Sequence, residues 1–170
     1  MLQSQNLTYK LVERYKGNSF MNKFILTEEL IGQVKLPKGI YIRQFKETDF
    51  SSIQLLYEKE GWMTFLKRSE DALKAWKNSN IALVALDGGI IVGLIRALTD
   101  GEITTYISEI IVDNSYRGMG IGKALIDICH NLYPNTRLDL LSTDGADDFY
   151  QRNSFRTNMG FRKSYSLVRE

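Results

Sequence analysis

The stretch Arg117-Gly118-Met119-Gly120-Ile121-Gly122 constrains this chain more than any other. It follows a strand-like run, Thr104 to Val112, and precedes a helically spaced apolar stripe of Ile121, Leu125, Ile128, Cys129 and Leu132. A strand that turns through glycine into a helix brings bare peptide N–H groups and the positive end of the helix to one place. That arrangement reads as a phosphate cradle. The spacing excludes two common versions. A Walker loop ends in Gly-Lys-Ser or Gly-Lys-Thr, and here Lys123 is followed by Ala124, so no hydroxyl is offered to magnesium. The run from Gly118 to Gly122 also lacks the GxGxxG spacing of a dinucleotide-binding turn.

What remains is Gln/Arg-x-x-Gly-x-Gly, filled by Arg117, Gly120 and Gly122. The pattern resembles the pyrophosphate loop of the GCN5-related N-acetyltransferase (GNAT) family, whose members bind acetyl-coenzyme A. A second signature follows: Leu138-Asp139-Leu140-Leu141-Ser142, then a helix carrying Phe149-Tyr150-Gln151-Arg152 and ending at Ser154-Phe155. Ser154 stands where the family usually has glycine, and Thr143 where many members have a cofactor-contacting asparagine. Upstream, Glu60-Gly61-Trp62, Ala75-Trp76-Lys77-Asn78-Ser79 and Arg96-Ala97-Leu98-Thr99-Asp100-Gly101 look like a subgroup of small acetyltransferases. The resemblance spans about residues 40 to 168. It implies an α+β fold with a mixed, mostly antiparallel central sheet, helices on both faces, and a splay between the fourth and fifth main strands that admits the thioester arm. It also implies acetyl-coenzyme A contacts at Ile110, Ile111, Val112, Arg117, Gly118, Met119, Gly120, Ile121, Gly122 and Lys123, with no metal.

Composition fits one compact enzyme domain. With 170 residues, 44% hydrophobic and 25% charged, the chain can bury one substantial core. The net charge of +2, with no basic block, argues against a nucleic-acid partner. Cys129, the single cysteine, lies on the apolar helical stripe and reads as a packed thiol. No secretory signal or membrane-length apolar run is seen, so the expected location is the cytoplasm, without a membrane partner.

Residues 1–39 read as an N-terminal arm and 40–170 as the acetyltransferase domain. In the arm, Leu7 to Arg14 alternates weakly like a strand, and a second short segment near Phe24 to Leu26 is placed to pair with it. The arm either packs on its own domain, covers the substrate or exchanges within a homodimer. Beyond Pro37, the pattern predicts a strand from Ile40, a helix capped by Thr48, and a helix capped by Ser69. Three strands joined by Asp87-Gly88-Gly89 and Asp100-Gly101 follow, then a helix from Gly120, a strand at Leu138 to Leu141, a helix through Tyr150 and a last strand near Lys163 to Val168.

Acyl transfer to an amine sets the chemistry. An alkyl amine with a pKa near 10.4 costs about 4–5 kcal/mol to hold neutral at pH 7, so a group must take its proton. The carbonyl oxygen then needs an N–H donor as charge develops, and the departing thiolate benefits from an acid. By resemblance, Tyr150 is that acid. Glu109 is the candidate base or amine anchor, against an ordinary outward-facing strand residue. Alternation sets Tyr106, Ser108 and Ile110 on one face and Ile107, Glu109 and Ile111 on the other unless a bulge intervenes, so Ser108 or Tyr106 is placed to hold a relaying water instead. His130 has no acidic partner nearby in sequence and reads as solvated. Asp144, Asp147 and Asp148 serve either cationic substrates or helix capping; Arg96, Trp62 and Trp76 line the acceptor pocket or pack. The expected activity is acetyl-coenzyme A dependent N-acetyl transfer to a primary amine of a small molecule, the alternative being an acyl-coenzyme A binding module without catalysis.

Overall fold

A computed structural model describes residues 26–164. Five strands make one sheet in the order β1-β2-β3-β4-β5: β1 (Ile40–Gln44), β2 (Ile81–Asp87), β3 (Ile90–Thr99), β4 (Thr104–Val112) and β5 (Arg137–Leu140). The first four pair antiparallel, and β5 pairs with β4 in parallel. A parallel partner requires a crossover. Here it is α5 (Ile121–Leu132), whose buried stripe includes Ile121, Leu125, Ile128, Cys129 and Leu132, the residues that the sequence spacing picks out. Gly93 on β3 allows α5 to come close, because a Cβ there would meet Ile111 O and Ile121 Cγ2 at 3.2 Å each.

The other face of the sheet is covered by α2 (Phe50–Lys59) and α4 (Ser69–Asn78). Phe50, Ile53, Leu56 and Tyr57 of α2 and Ala72 and Trp76 of α4 pack on Val84, Leu86, Leu94 and Ile111. Each large side chain buried there is worth about 1.5–3 kcal/mol. The expected mixed, mostly antiparallel sheet with helices on both faces is therefore the observed one.

Local details differ from expectation. Thr48 does not cap α2; it lies within a 3-10 turn, Glu47–Asp49. The Asp49 carboxylate accepts the Lys46 N–H at 2.7 Å and is clamped by Arg43 at 2.7 and 2.9 Å, so an acidic side chain closes that turn. Ser69 does not cap α4: it is the first residue inside the helix, Arg68 stands at the N-cap, and Ser69 Oγ accepts from Gln54 Nε2 at 2.9 Å. Two helices were not anticipated, α1 (Glu28–Gly32) and α3 (Met63–Lys67). Five residues are too few for a helical period to register. α1 does begin on a readable signal: Thr27 Oγ1 accepts the Leu30 N–H at 3.3 Å, with Glu28 and Glu29 in the first turn. The alternating segment expected at Leu7 to Arg14 lies outside the described residues, as does most of its partner near Phe24. The last expected strand also falls mostly outside them, and Lys163 and Ser164 are not in a strand.

The chain divides into two compact units, residues 1–140 and 141–170. In the second, α6 (Asp147–Arg152) carries Tyr150, as expected.

Candidate active site

The register of β3 and β4 slips by one residue at Ser108: Arg96 pairs with Glu109, and the next pair is Ala97 with Ile107. Directly paired residues point to the same face of a sheet. Arg96 and Ala97 are adjacent and point oppositely, so Ile107 and Glu109 also lie on opposite faces. This corrects the expected alternation. Glu109 and Ile111 face α2 and α4, whereas Ile107 shares the α5 face with Thr105, whose Oγ1 lies 2.8 Å from Thr136 Oγ1. Tyr106, paired with Leu98, moves to the face of Glu109.

Turned inward by the bulge, Glu109 is 3% exposed. A buried carboxylate is expensive unless paired and hydrogen-bonded. Its Oε1 accepts from Arg96 Nε at 2.8 Å and Nη2 at 2.5 Å, and its Oε2 accepts from the Tyr57 hydroxyl. Tyr57 Oη in turn accepts from Trp76 Nε1 at 2.6 Å. On the far side, Arg96 Nη1 donates to Ser79 Oγ at 2.9 Å, and Ser79 Oγ donates to Ala75 O at 2.7 Å. Burial, then the negative charge of Glu109, then the bond to it push the Tyr57 phenol well above its ordinary range, so Tyr57 stays a donor. Trp76, 1% exposed, is a bonded core residue. Trp62 is half-buried, stacks on Tyr57 with ring centroids 6.1 Å apart and meets Phe65 at a tilt with centroids 5.7 Å apart.

Past Glu109 the strand becomes an edge. β5 pairs only with Thr104 to Ile107, so Ser108 to Val112 has no strand partner on that side among the described residues. Asp113 N donates to Val92 O at 2.9 Å, which fixes the hydrogen-bonding phase. Glu109 and Ile111 therefore spend their peptide groups on β3, and Ile110 and Val112 turn theirs to the open edge. Arg117 Nε indeed reaches Val112 O at 3.1 Å. Of the three strand residues expected at the cofactor, Ile111 thus has neither peptide group nor side chain directed to that edge.

The turn beyond the edge is left-handed at Gly118 (φ 79°) and Gly120 (φ 92°). No atom lies within 4 Å of a Cβ built on Gly118, so the backbone conformation, which L side chains resist, is what calls for glycine. Gly120 is the N-cap of α5, and the first intrahelical bond there is Ala124 N to Gly120 O at 3.0 Å. The N–H groups of Ile121, Gly122 and Lys123 are left without intrahelical partners, with the positive end of a twelve-residue helix behind them. Met119 is exposed, while Ile121 and Gly122 are buried. Two side chains expected at the phosphates have protein partners: Arg117 Nη2 pairs with Glu60 Oε1 at 2.5 Å, and Lys123 Nζ with Asp127 Oδ2 at 2.6 Å.

In the second unit, α6 ends in a turn that matches a Schellman motif. Ser154 N donates to Gln151 O and Phe155 N to Tyr150 O, both at 3.1 Å, with Ser154 left-handed at φ 66°. The turn that the family makes with glycine is made here by serine. Phe149 and Phe155 meet the Tyr150 ring edge-on at 5.2 and 5.6 Å, and burial raises the phenol above its usual range.

Residues 53–164 match the family profile described as the acetyltransferase (GNAT) domain. The chain belongs to this family. An uncharacterized N-acetyltransferase of Porphyra purpurea is 25% identical over 156 residues, covering 89% of this chain and 84% of the relative. A GNAT-family acetyltransferase from Streptococcus pneumoniae superposes with a TM-score of 0.59 at 26% identity, covering 74% of this chain and 98% of its own. A soil-metagenome aminoglycoside acetyltransferase solved with sisomicin shares the fold at a TM-score of 0.56 and 21% identity, over 77% of this chain and 97% of its own.

The chain is thus a GNAT N-acetyltransferase, and the family uses acetyl-coenzyme A. The donors present suit that cosubstrate: the peptide group of Ile110 and the Val112 N–H at the open edge for an amide-bearing arm, and N–H groups at the head of α5 for its pyrophosphate. Burial pushes the Cys129 thiol up to about 12, far from a nucleophile, and His130 is exposed. Asp147 and Asp148 occupy the first turn of α6 and not its cap, where Ala146 stands; Asp147 accepts from Ser142 Oγ at 3.0 Å. No group of three or more metal-ligating side chains occurs among the described residues, and no helix there is long and apolar enough to cross a membrane. Tyr57 was overlooked as a site residue. It reads as one more apolar position of α2, and its partner Glu109 is 52 positions away.

Proposed function

We propose that this N-acetyltransferase acetylates a primary amine of a small molecule in the cytoplasm, with acetyl-coenzyme A as donor and by direct attack. The observation that carries the reading is the continuous run from the open edge of β4 through the left-handed glycine turn into α5. Ile110, with both its peptide groups, and Val112, with its N–H, face the pantetheine arm at the edge, with Ile111 as the packed support beneath. Gly118, Met119, Gly120, Ile121, Gly122 and Lys123 present backbone N–H groups to the pyrophosphate. Arg117 supplies a positive charge beside it, exchanging Glu60 for a phosphate oxygen.

Bound acetyl-coenzyme A supplies an acetyl group activated as a thioester. Glu109 takes the amine proton through a water held by the Ser108 hydroxyl, as the C–N bond forms and the C–S bond breaks. Tyr150 gives its phenolic proton to the sulfur that leaves with the bonding pair, and regains one from solvent. Two facts support Tyr150: burial keeps its proton on at neutral pH, and its Oη has no protein hydrogen-bond partner among the described residues. Tyr150→Phe should lower kcat on the order of 100-fold with acetyl-coenzyme A affinity unchanged.

The fold likeness to an aminoglycoside acetyltransferase supports an amine acceptor of small size. A panel of propylamine, tyramine, spermidine, sisomicin and lysine amide, each with acetyl-coenzyme A and thiol detection, tests the reading. Thiol release that depends on one amine is expected. Binding of acetyl-coenzyme A by calorimetry with no amine-dependent release from any panel member would leave the non-catalytic binding module as the better account.

A further inference from the structure

We infer that Arg96 and Tyr57 are positioning residues for the acetyl transfer, together holding the Glu109 carboxylate so that Oε2 alone is open to the proton leaving the amine. The inference rests on the proposed role of Glu109. An ionised carboxylate has about four acceptor positions. Arg96 fills two on Oε1 with Nε at 2.8 Å and Nη2 at 2.5 Å, and the Tyr57 hydroxyl fills one on Oε2. One position is left, on the oxygen that Tyr57 also holds.

Neither donor is free to swing away. Arg96 is tied through Ser79 to the carbonyl of Ala75, and the Tyr57 hydroxyl accepts from Trp76 while its ring stacks on Phe65 with centroids 4.8 Å apart. Three elements thus fix a side chain on a fourth: α2 through Tyr57, β3 through Arg96, and α4 with its C-cap through the neutral Trp76 and Ser79. Arg96 and Tyr57 thus supply the charged and the neutral donor that a carboxylate 3% exposed requires.

The test compares wild type, Glu109→Gln, Tyr57→Phe, Arg96→Lys and Arg96→Met. The fastest amine of the panel gives kcat, KM and the pH dependence of kcat/KM for each. The inference expects kcat down about tenfold or more in Tyr57→Phe, in Arg96→Met and in Arg96→Lys, which keeps the charge but loses the paired N–H groups, with the amine KM and acetyl-coenzyme A affinity unchanged. Tyr57→Phe and Arg96→Lys preserve shape and charge, so a folding failure of Arg96→Met or Glu109→Gln leaves them to decide. If both keep the wild-type kcat and lose only melting temperature, the two residues merely stabilise the fold and the inference is overturned. If Glu109→Gln retains the acidic limb, the role of Glu109 itself is wrong, and this inference falls with it.

Discussion

Ser154→Gly should stabilise the end of α6, and the size of the gain follows from the turn. Ser154 is held at φ 66°, the left-handed position of the motif that closes the helix behind Tyr150. An L residue there carries about 1–2 kcal/mol of steric cost. Glycine removes that cost but returns about 0.5–1 kcal/mol through the extra freedom of the unfolded chain. The Ser154 hydroxyl makes no hydrogen bond among the described residues and the side chain is exposed, so nothing else is lost. The net gain is about 0.5–1 kcal/mol, a factor of roughly 2–5 in the opening equilibrium of the turn. Amide exchange at residue 154 and Phe155, whose N–H groups close the motif, should slow by that factor. Where the second unit melts with the rest, Tm should rise by about 1–4 °C. Ser154→Ala, which keeps the steric cost, should give neither effect. Equal behaviour of the alanine and glycine variants, or faster exchange in glycine, would refute the argument that backbone strain sits at Ser154.

Gly120→Val places a β-branched residue at φ 92° and should abolish binding at the cradle. Acetyl-coenzyme A at 100 times its Kd stabilises a binding protein by about 2.7 kcal/mol, so wild type should show a thermal shift that the variant lacks, and an equal shift in both would sink the cradle. Cys129 predicts a pH effect whose sign is fixed: its thiol is raised by burial from 9.0 to about 12. The unfolded chain therefore ionises first, so this contribution is intact below about pH 9 and declines up to about pH 12, at up to about 1.4 kcal/mol per pH unit. Denaturant titrations of wild type and Cys129→Ala check it, the variant showing the shallower alkaline loss; parallel curves would remove Cys129 as a contributor.

What was legible in the sequence is what local chemistry decides. The hairpins at Gly88-Gly89 and Asp100-Gly101, the stripe of α5 and the glycine turn at its head all announce themselves within a few residues, and each lies where it was read. The Glu109 hub does not. Its partners lie 13 and 52 positions away, and nothing near Ser108 marks a bulge, since neither glycine nor proline interrupts Thr104 to Val112. Even burial alternates without a break along β4, although the faces exchange at Ser108. Both faces of that strand are covered, so solvent exposure carries no trace of the exchange. The bulge becomes visible only in the pairing, where Glu109 meets Arg96 and Ile107 meets Ala97.

The two parts of the site within the first unit, one built by local rules and one by distant contacts, meet at the end of α2. Tyr57 binds Glu109; two residues on, Lys59 pairs with Asp113 at 2.6 Å; one further, Glu60 pairs with Arg117 at 2.5 Å. Asp113 and Arg117 bracket the short 3-10 turn between β4 and the glycine cradle. The Lys59 bond, ahead of the backbone N–H of Ser115, keeps the Asp113 carboxyl below its ordinary range, so that contact persists as a charged one at neutral pH. A single helical turn thus touches the carboxylate hub, the end of the open strand and the motif arginine. Ion pairs whose cation is exposed, as Lys59 and Arg117 are, add little stability, about 0–1 kcal/mol each. Their geometric effect is larger than their energy: Gly61, left-handed at φ 69°, ends the helix directly after Glu60 and sends the chain to Trp62, so the direction in which α2 leaves the site depends on the same turn. The glycine turn and the aromatic cluster of Tyr57, Trp62 and Phe65 are therefore joined by one short, contiguous set of contacts.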